Sequence, residues 1–136
     1  MFRFVTRHLH WLSRVPGFPL LFDAMLLAWT AVMRRPCLAA MEAVEAGALA
    51  MPGVRVGVHR YGGTEFILAG RELGHMHGNG LLDVRVGAIE ARRLVREGRA
   101  EPHHLFGESA WVSFWMRTPR DAATAMELLG VAIGQA

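Results

Sequence analysis

Residues 54–86 read VRVGV, HRYGG, TEFIL, AG, RELGHMH, GNG and LLDVRV in succession, and this run decides the fold. Val54, Val56 and Val58 alternate with Arg55, Gly57 and His59, the period of two that marks a strand. Gly62-Gly63 has the chemistry of a tight hairpin turn and leads into Thr64 to Leu68. Ala69-Gly70 turns again into Glu72 to His77, and Gly78-Asn79-Gly80 precedes Leu81 to Val86. Four short runs joined by tight turns predict an antiparallel meander.

Outward from the meander the period lengthens. Ala88, Ala91, Leu94 and Val95 follow helical spacing, with Gly98 at the stop. A polar loop is expected from Arg99 to Glu108, then a strand from Trp111 to Arg117. Thr118-Pro119-Arg120-Asp121 opens a last helix with an N-cap, proline at N1 and an acid at N3. Ala122, Ala125, Met126, Leu129 and Ile133 form its expected buried stripe. Upstream, Leu38 to Met51 reads as a helix stopped by Pro52-Gly53, and Leu20 to Met33 as another after Pro16 and Pro19. An amphipathic segment, Phe2 to Leu12, places Phe4, Val5, His8, Leu9 and Leu12 on one side. The expected class is α+β: N-terminal helices, a meander of about four strands, a helix, a further strand and a C-terminal helix, a double-wing-like two-layer domain. Residues 1–52 form the helical segment and 53–136 the α+β domain.

A chain of 136 residues is long enough for one domain with a core, and 52% apolar against 20% charged residues argues against disorder. All 15 basic residues are arginine, so Schiff-base, P-loop and kinase chemistries that need a lysine are excluded. The single Cys37 excludes an intrachain disulfide and a CxxC pair, and points to a reducing, cytoplasmic setting. Residues 1–35 hold five arginines and one acid, whereas 36–136 hold ten arginines and eleven acids. The excess therefore sits in a hydrophobic leader, which disfavours nucleic acid as a partner. A membrane surface or a second copy of the chain are the partners that residues 1–35 would suit. The 14 positions from Leu20 to Met33 fall short of the roughly 20 needed to span a bilayer.

The chemical signal is His75-Met76-His77 on a strand, with Glu65 and Asp83 on its neighbours and His103-His104 in the long loop. Strand parity puts Leu73, His75 and His77 on one face and Glu72, Gly74 and Met76 on the other. The same rule separates Trp111, Ser113 and Trp115 from Val112, Phe114 and Met116, and the two polar faces are expected to share one hollow. Two histidines two apart on a strand, with a third and a carboxylate, make an N/O donor set for a divalent metal. His75, His77, His104 and Glu65 are the ligand candidates. Metal-free acid/base work by an imidazole and plain structural histidines are the alternatives. Gly78-Asn79-Gly80 fails as a dinucleotide fingerprint, since Asp83 takes the third glycine position and a strand follows. Ser109 has no surrounding nucleophile elbow.

Five stretches together resemble the luciferase-domain family of small bacterial and fungal proteins. They are Pro52-Gly53-Val54, His59 to Phe66, Arg71 to Gly78, Glu97 to His104 and Ser109 to Phe114. The resemblance runs from about Gly53 to the last helix. It implies kinship with a fungal enzyme that oxidises a hydroxylated styryl-pyrone with molecular oxygen, releasing carbon dioxide and light with no added cofactor. It carries no catalytic residues over, so His75, His77, His103, His104 and Glu65 stand as candidates by their chemistry alone. On that footing a small enolic or phenolic aromatic is the expected substrate of an oxygenase, and an imidazole removes its proton. Trp111 or Trp115 would stack on it beside Ser113 and Asp83, and Arg60, Arg71 or Arg99 would stabilise an enolate. The rival expectation is a non-catalytic module that binds a ligand or a protein.

Overall fold

The computed structural model describes Val15 and residues 17–136; the amphipathic segment expected over Phe2 to Leu12 lies outside the described residues. Proline and glycine punctuate the helical third. Helix α1 spans Phe18–Met33 with Pro19 in its first turn, and α2 spans Arg35–Leu49, starting earlier than periodicity suggested because Pro36 fits the first turn. Past Pro52-Gly53 the chain forms β1 (Val54–Val58), β2 (Thr64–Leu68), β3 (Arg71–Met76) and β4 (Leu81–Arg85), the expected meander. Helix α3 (Ala88–Arg96) then carries the chain to β5 (Glu101–His103), β6 (Gly107–Trp115) and α4 (Asp121–Gly134). All pairings are antiparallel, in the order β1-β2-β3-β4-β6-β5. The class is α+β.

Two local features depart from periodicity. The expected loop from Arg99 to Glu108 contains β5, an edge strand of three residues that includes Pro102, and β6 begins at Gly107 instead of Trp111. A run that short shows no alternation, and proline is tolerated because an edge strand leaves one side unpaired. On β3, Phe66 faces Gly74 but Ile67 faces Glu72, so Leu73 is an extra, bulged residue. The bulge reverses the parity of the strand's first half. Leu73 enters the core with Met76, and Glu72 shares the face of His75.

One sheet face carries the core. Phe66, Met76, Leu82, Val84 and Val112 meet Cys37, Ala40, Met41, Val44 and Ala48 of α2, and Ala125, Leu128, Leu129 and Ala132 of α4. On α4 Leu128 and Ala132 are buried, while Ala122, Met126 and Ile133 pack at the margin of the core. The last helix begins two residues later than expected, with Arg120 and not Thr118 at its N-cap, and Asp121 accepts the backbone N–H groups of Arg117 and Thr118 at 2.8 Å from the preceding turn. Helix α1 lies against the β3–β4 turn, where Asp23 Oδ1 accepts the Gly78 N–H at 2.8 Å. Glycine is required there, since a Cβ would stand 2.5 Å from the Asp23 carbonyl oxygen and 2.6 Å from the Leu27 nitrogen. Among the described residues no helix is long and apolar enough to cross a membrane.

Candidate functional site

The register aligns a polar row on the face opposite the core. Gly57 pairs with Glu65, Glu65 with His75, His75 with Asp83, Asp83 with Ser113, and Ser113 with Glu101. Residues directly opposite on antiparallel strands project to the same side, so His75, Asp83 and Ser113 stand shoulder to shoulder. Arg85 pairs with Trp111 and Leu81 with Trp115, which puts both indoles on this face. The faces that parity left separate therefore coincide.

Asp83 is the centre of the row and is fully buried. Its Oδ2 lies 3.2 Å from His77 Nε2, 3.2 Å from His104 Nδ1 and 3.6 Å from His75 Nε2. Its Oδ1 accepts a short hydrogen bond from Ser113 Oγ and faces His103 Nε2 at 3.8 Å. Burial alone would raise this carboxyl, but bonds to His104 and His77 hold it well below the usual carboxylate range. Burial likewise opposes a charge on His77, yet pairing with Asp23 and Asp83 outweighs it and holds the imidazole at about 9. At His59 and His103 burial outweighs the nearby charges of Glu72 and Asp83 and pushes each down to about 4.

Hydrogen bonds distinguish the five imidazoles. His103 Nδ1 accepts the Leu105 and Phe106 N–H groups at 3.1 and 3.2 Å, so its proton sits on Nε2, toward Asp83. That nitrogen has no lone pair for a cation. His59 Nδ1 accepts the Tyr61 N–H, and its Nε2 faces Glu72 at 3.7 Å. His75 is the reverse case: Nδ1 donates to Glu72 Oε1 at 2.6 Å, the tautomer that turns Nε2, 3.6 Å from Asp83 Oδ2, to the side where a ligand atom is wanted. Glu72 is correspondingly held below its ordinary pKa, chiefly by that bond. His77 differs in charge but not in placement: as an imidazolium it turns Nδ1 to Asp23 Oδ1 at 3.7 Å and Nε2 to Asp83 Oδ2 at 3.2 Å, and a divalent ion would bind there by displacing the Nε2 proton. Two imidazoles thus turn Nε2 to one carboxylate oxygen while a second carboxylate faces each Nδ1, the outer arrangement that orients metal-ligating histidines.

Ligand atoms of His75, His77 and Asp83 all lie within 4.8 Å of one another, as do those of Asp83, His103 and His104, and of His59, Glu72 and His75. These groups could hold a metal ion. The tautomers of His103 and His59 count against the second and third. The first has two imidazoles and one carboxylate, and its contacts to Asp83 of 3.2 and 3.6 Å bracket the ~3.3 Å between neighbouring ligands on a small ion with bonds of about 2.0–2.1 Å.

Aromatic rings border the centre. His59 stacks on His75 at 4.2 Å, Trp111 stands 5.7 Å from His75 and 6.0 Å from His103, and Phe106 stacks on His103 at 4.7 Å. Of the residues singled out in the sequence, His75, His77, His103, His104, Asp83, Ser113 and Trp111 converge. Glu65 shares the row beside His75 but joins none of the three ligand groups. Trp115 lies on the same face beyond Leu81. Arg60 sits over the Tyr61 ring at the margin, Arg71 lines with Arg85, Gly87 and Gln135 a hollow that meets the centre only at Glu72, and Arg99 pairs with Glu127 at 2.6 Å. Three further members, His59, Glu72 and Asp23, were not among the sequence candidates. The first lies one residue beyond β1, the second is brought in by the bulge, and the third comes from a helix that reads as apolar.

Residues 70–132 match the model of one family, described as "Luciferase domain". The match covers β3, β4, α3, β5, β6 and all but the last two residues of α4, and hence every member of the centre except Asp23, His59 and the outlying Glu65. No curated protein and no solved structure matches the chain.

Proposed function

From the match of residues 70–132 to the luciferase-domain model, we propose that the centre on the sheet is a metal-assisted oxygenase site for a small enolic or phenolic aromatic molecule. The observation that carries this reading is the convergence of His75 Nε2 and His77 Nε2 on Asp83 Oδ2. Two histidines and one carboxylate with open positions are the donor set of non-haem iron oxygenases. A divalent ion held there would supply positive charge for an enolate or phenolate oxygen and a place for dioxygen.

His104 is the proton acceptor in this scheme. Its Nδ1 lies 3.2 and 3.3 Å from the two oxygens of Asp83, whose negative charge would stabilise the imidazolium formed as the ring takes up the substrate's proton. The deprotonated carbon passes an electron pair to dioxygen, forming a carbon–oxygen bond. The peroxide anion so formed takes up a proton, which balances the step as substrate plus dioxygen giving a hydroperoxide. Trp111 offers a flat ring against which an aromatic substrate can stack.

The test is metal analysis of untagged protein and titration with divalent ions, followed by oxygen uptake with a panel of polyphenols and pyrones. Stoichiometric binding that is lost in His75→Ala and His77→Ala, with oxygen uptake lost in parallel, supports the reading. Failure of every divalent ion to bind tighter than about 1 mM, on the scale where affinity ceases to be specific, would remove it. The exposed rings of Phe106 and Tyr61 beside His103 and His59 favour a second reading, ligand recognition without turnover. Ligand binding with no oxygen uptake would select it.

A further inference from the structure

We propose that α1 docks the protein on an anionic membrane surface, lying in the interface without crossing it. The helix is built inside out. Its buried residues are Asp23, Leu26 and Thr30, and the Thr30 hydroxyl has no hydrogen-bond partner among the described residues. Its outward stripe is Leu21, Met25, Trp29, Val32 and Met33, each between 57% and 71% exposed. A helix packed on a domain in water normally shows the opposite arrangement, so this outer face is shaped for an apolar surrounding.

Charge selects the surrounding. Asp23 is the helix's one charged residue and points inward, so the outer stripe carries none. Exposed Arg35 follows its last turn, half-buried Arg34 beside it donates to the Asn79 carbonyl oxygen at 3.4 Å, and residues 1–35 together carry five arginines against that single acid. An apolar stripe with adjoining arginines and a tryptophan matches the acyl–headgroup boundary of a bilayer with anionic lipid. A second copy fits less well, because its own stripe offers no anionic group to the adjoining arginine, the helix's one acid, Asp23, being buried. Sixteen residues span ~24 Å, short of the ~30 Å hydrocarbon core, which suits lying on the surface.

The experiment uses the full chain and sedimentation with vesicles of phosphatidylcholine, alone or with about 30% phosphatidylserine. Binding should be strong on the mixed vesicles, weaker on neutral ones, and reduced by raising salt from about 0.1 to 0.5 M. Met25→Glu combined with Trp29→Glu should lower bound protein at least tenfold on the mixed vesicles, by about the cost of two interfacial charges. These side chains are exposed, so circular dichroism and the melting temperature should match the parent. Independently, lipids brominated in the acyl chain should quench a fluorescence component that Trp29→Phe abolishes. Equal vesicle binding by parent and double variant would overturn the proposal, as would no binding by either. So would a doubling of mass in light scattering without lipid that the double variant abolishes, which would assign the stripe to a second copy.

Discussion

Asp83 concentrates the charge of the sheet. A buried carboxylate is costly unless every lone pair is engaged, and here one hydroxyl and up to four imidazoles face its two oxygens. Asp83→Asn keeps the shape, removes the charge and leaves His77 a buried cation with Asp23 alone. The loss expected for a buried pair deprived of one partner is about 3–5 kcal/mol in urea unfolding, with the His77 pKa falling from about 9 in a proton NMR titration. An unchanged titration would show that Asp23 alone sustains the imidazolium. Glu72 acts one step out, fixing the His75 proton on Nδ1. Glu72→Gln, which keeps the shape without the charge, should weaken divalent binding by about 10–100-fold while the melting temperature moves little. Glu72→Asp should recover part of the loss, an outcome that a merely structural role of Glu72 would not give.

Whole elements were legible wherever period and punctuation agreed. The four strands of the meander, α3 and α4 sit within a residue or two of expectation because glycine turns and alternating valines speak with one voice. What escaped is what no periodicity encodes. The bulge at Leu73 is a two-against-one count that depends on the partner strand, and it carries Glu72 to the histidine face. Strand β5 is too short to alternate. Asp23 hid in an apolar run because its role is tertiary: it caps the Gly78 N–H and faces His77. The docking of α1 depends on the bare backbone at that turn. A methyl group on Gly78 would meet the backbone of α1 on two sides, so Gly78→Ala should cost about 1–3 kcal/mol by overpacking. Hydrogen exchange should then speed in α1 and leave β1 and β2 slow. Uniform acceleration across the sheet would mean that α1 and the sheet unfold as one unit.

At the scale of the whole molecule, charge is sorted by depth: among the described residues the arginines lie mostly outside and the five histidines around the inner carboxylates. Stability of the protein kept in chelator should therefore follow the histidines. His59 and His103 titrate at about 4 when folded, against 6.5 in the unfolded chain. Between those values the unfolded chain binds protons that the native state refuses, so stability rises with pH. His77 has the opposite sign. Its folded value of about 9 stands above 6.5, so its contribution is complete below 6.5 and is lost as pH climbs through 9. Asp83 adds stability above the ordinary carboxylate value of 3.8 that disappears as pH falls below it. The sum is a melting temperature that peaks near pH 6.5 and declines on both sides, measured by calorimetry from pH 4 to 9. His77→Gln should flatten the alkaline limb while leaving the acid limb in place. A melting temperature that keeps rising from pH 7 to 9 would place the His77 proton outside the fold and break the pairing with Asp23 and Asp83 on which the centre's geometry rests.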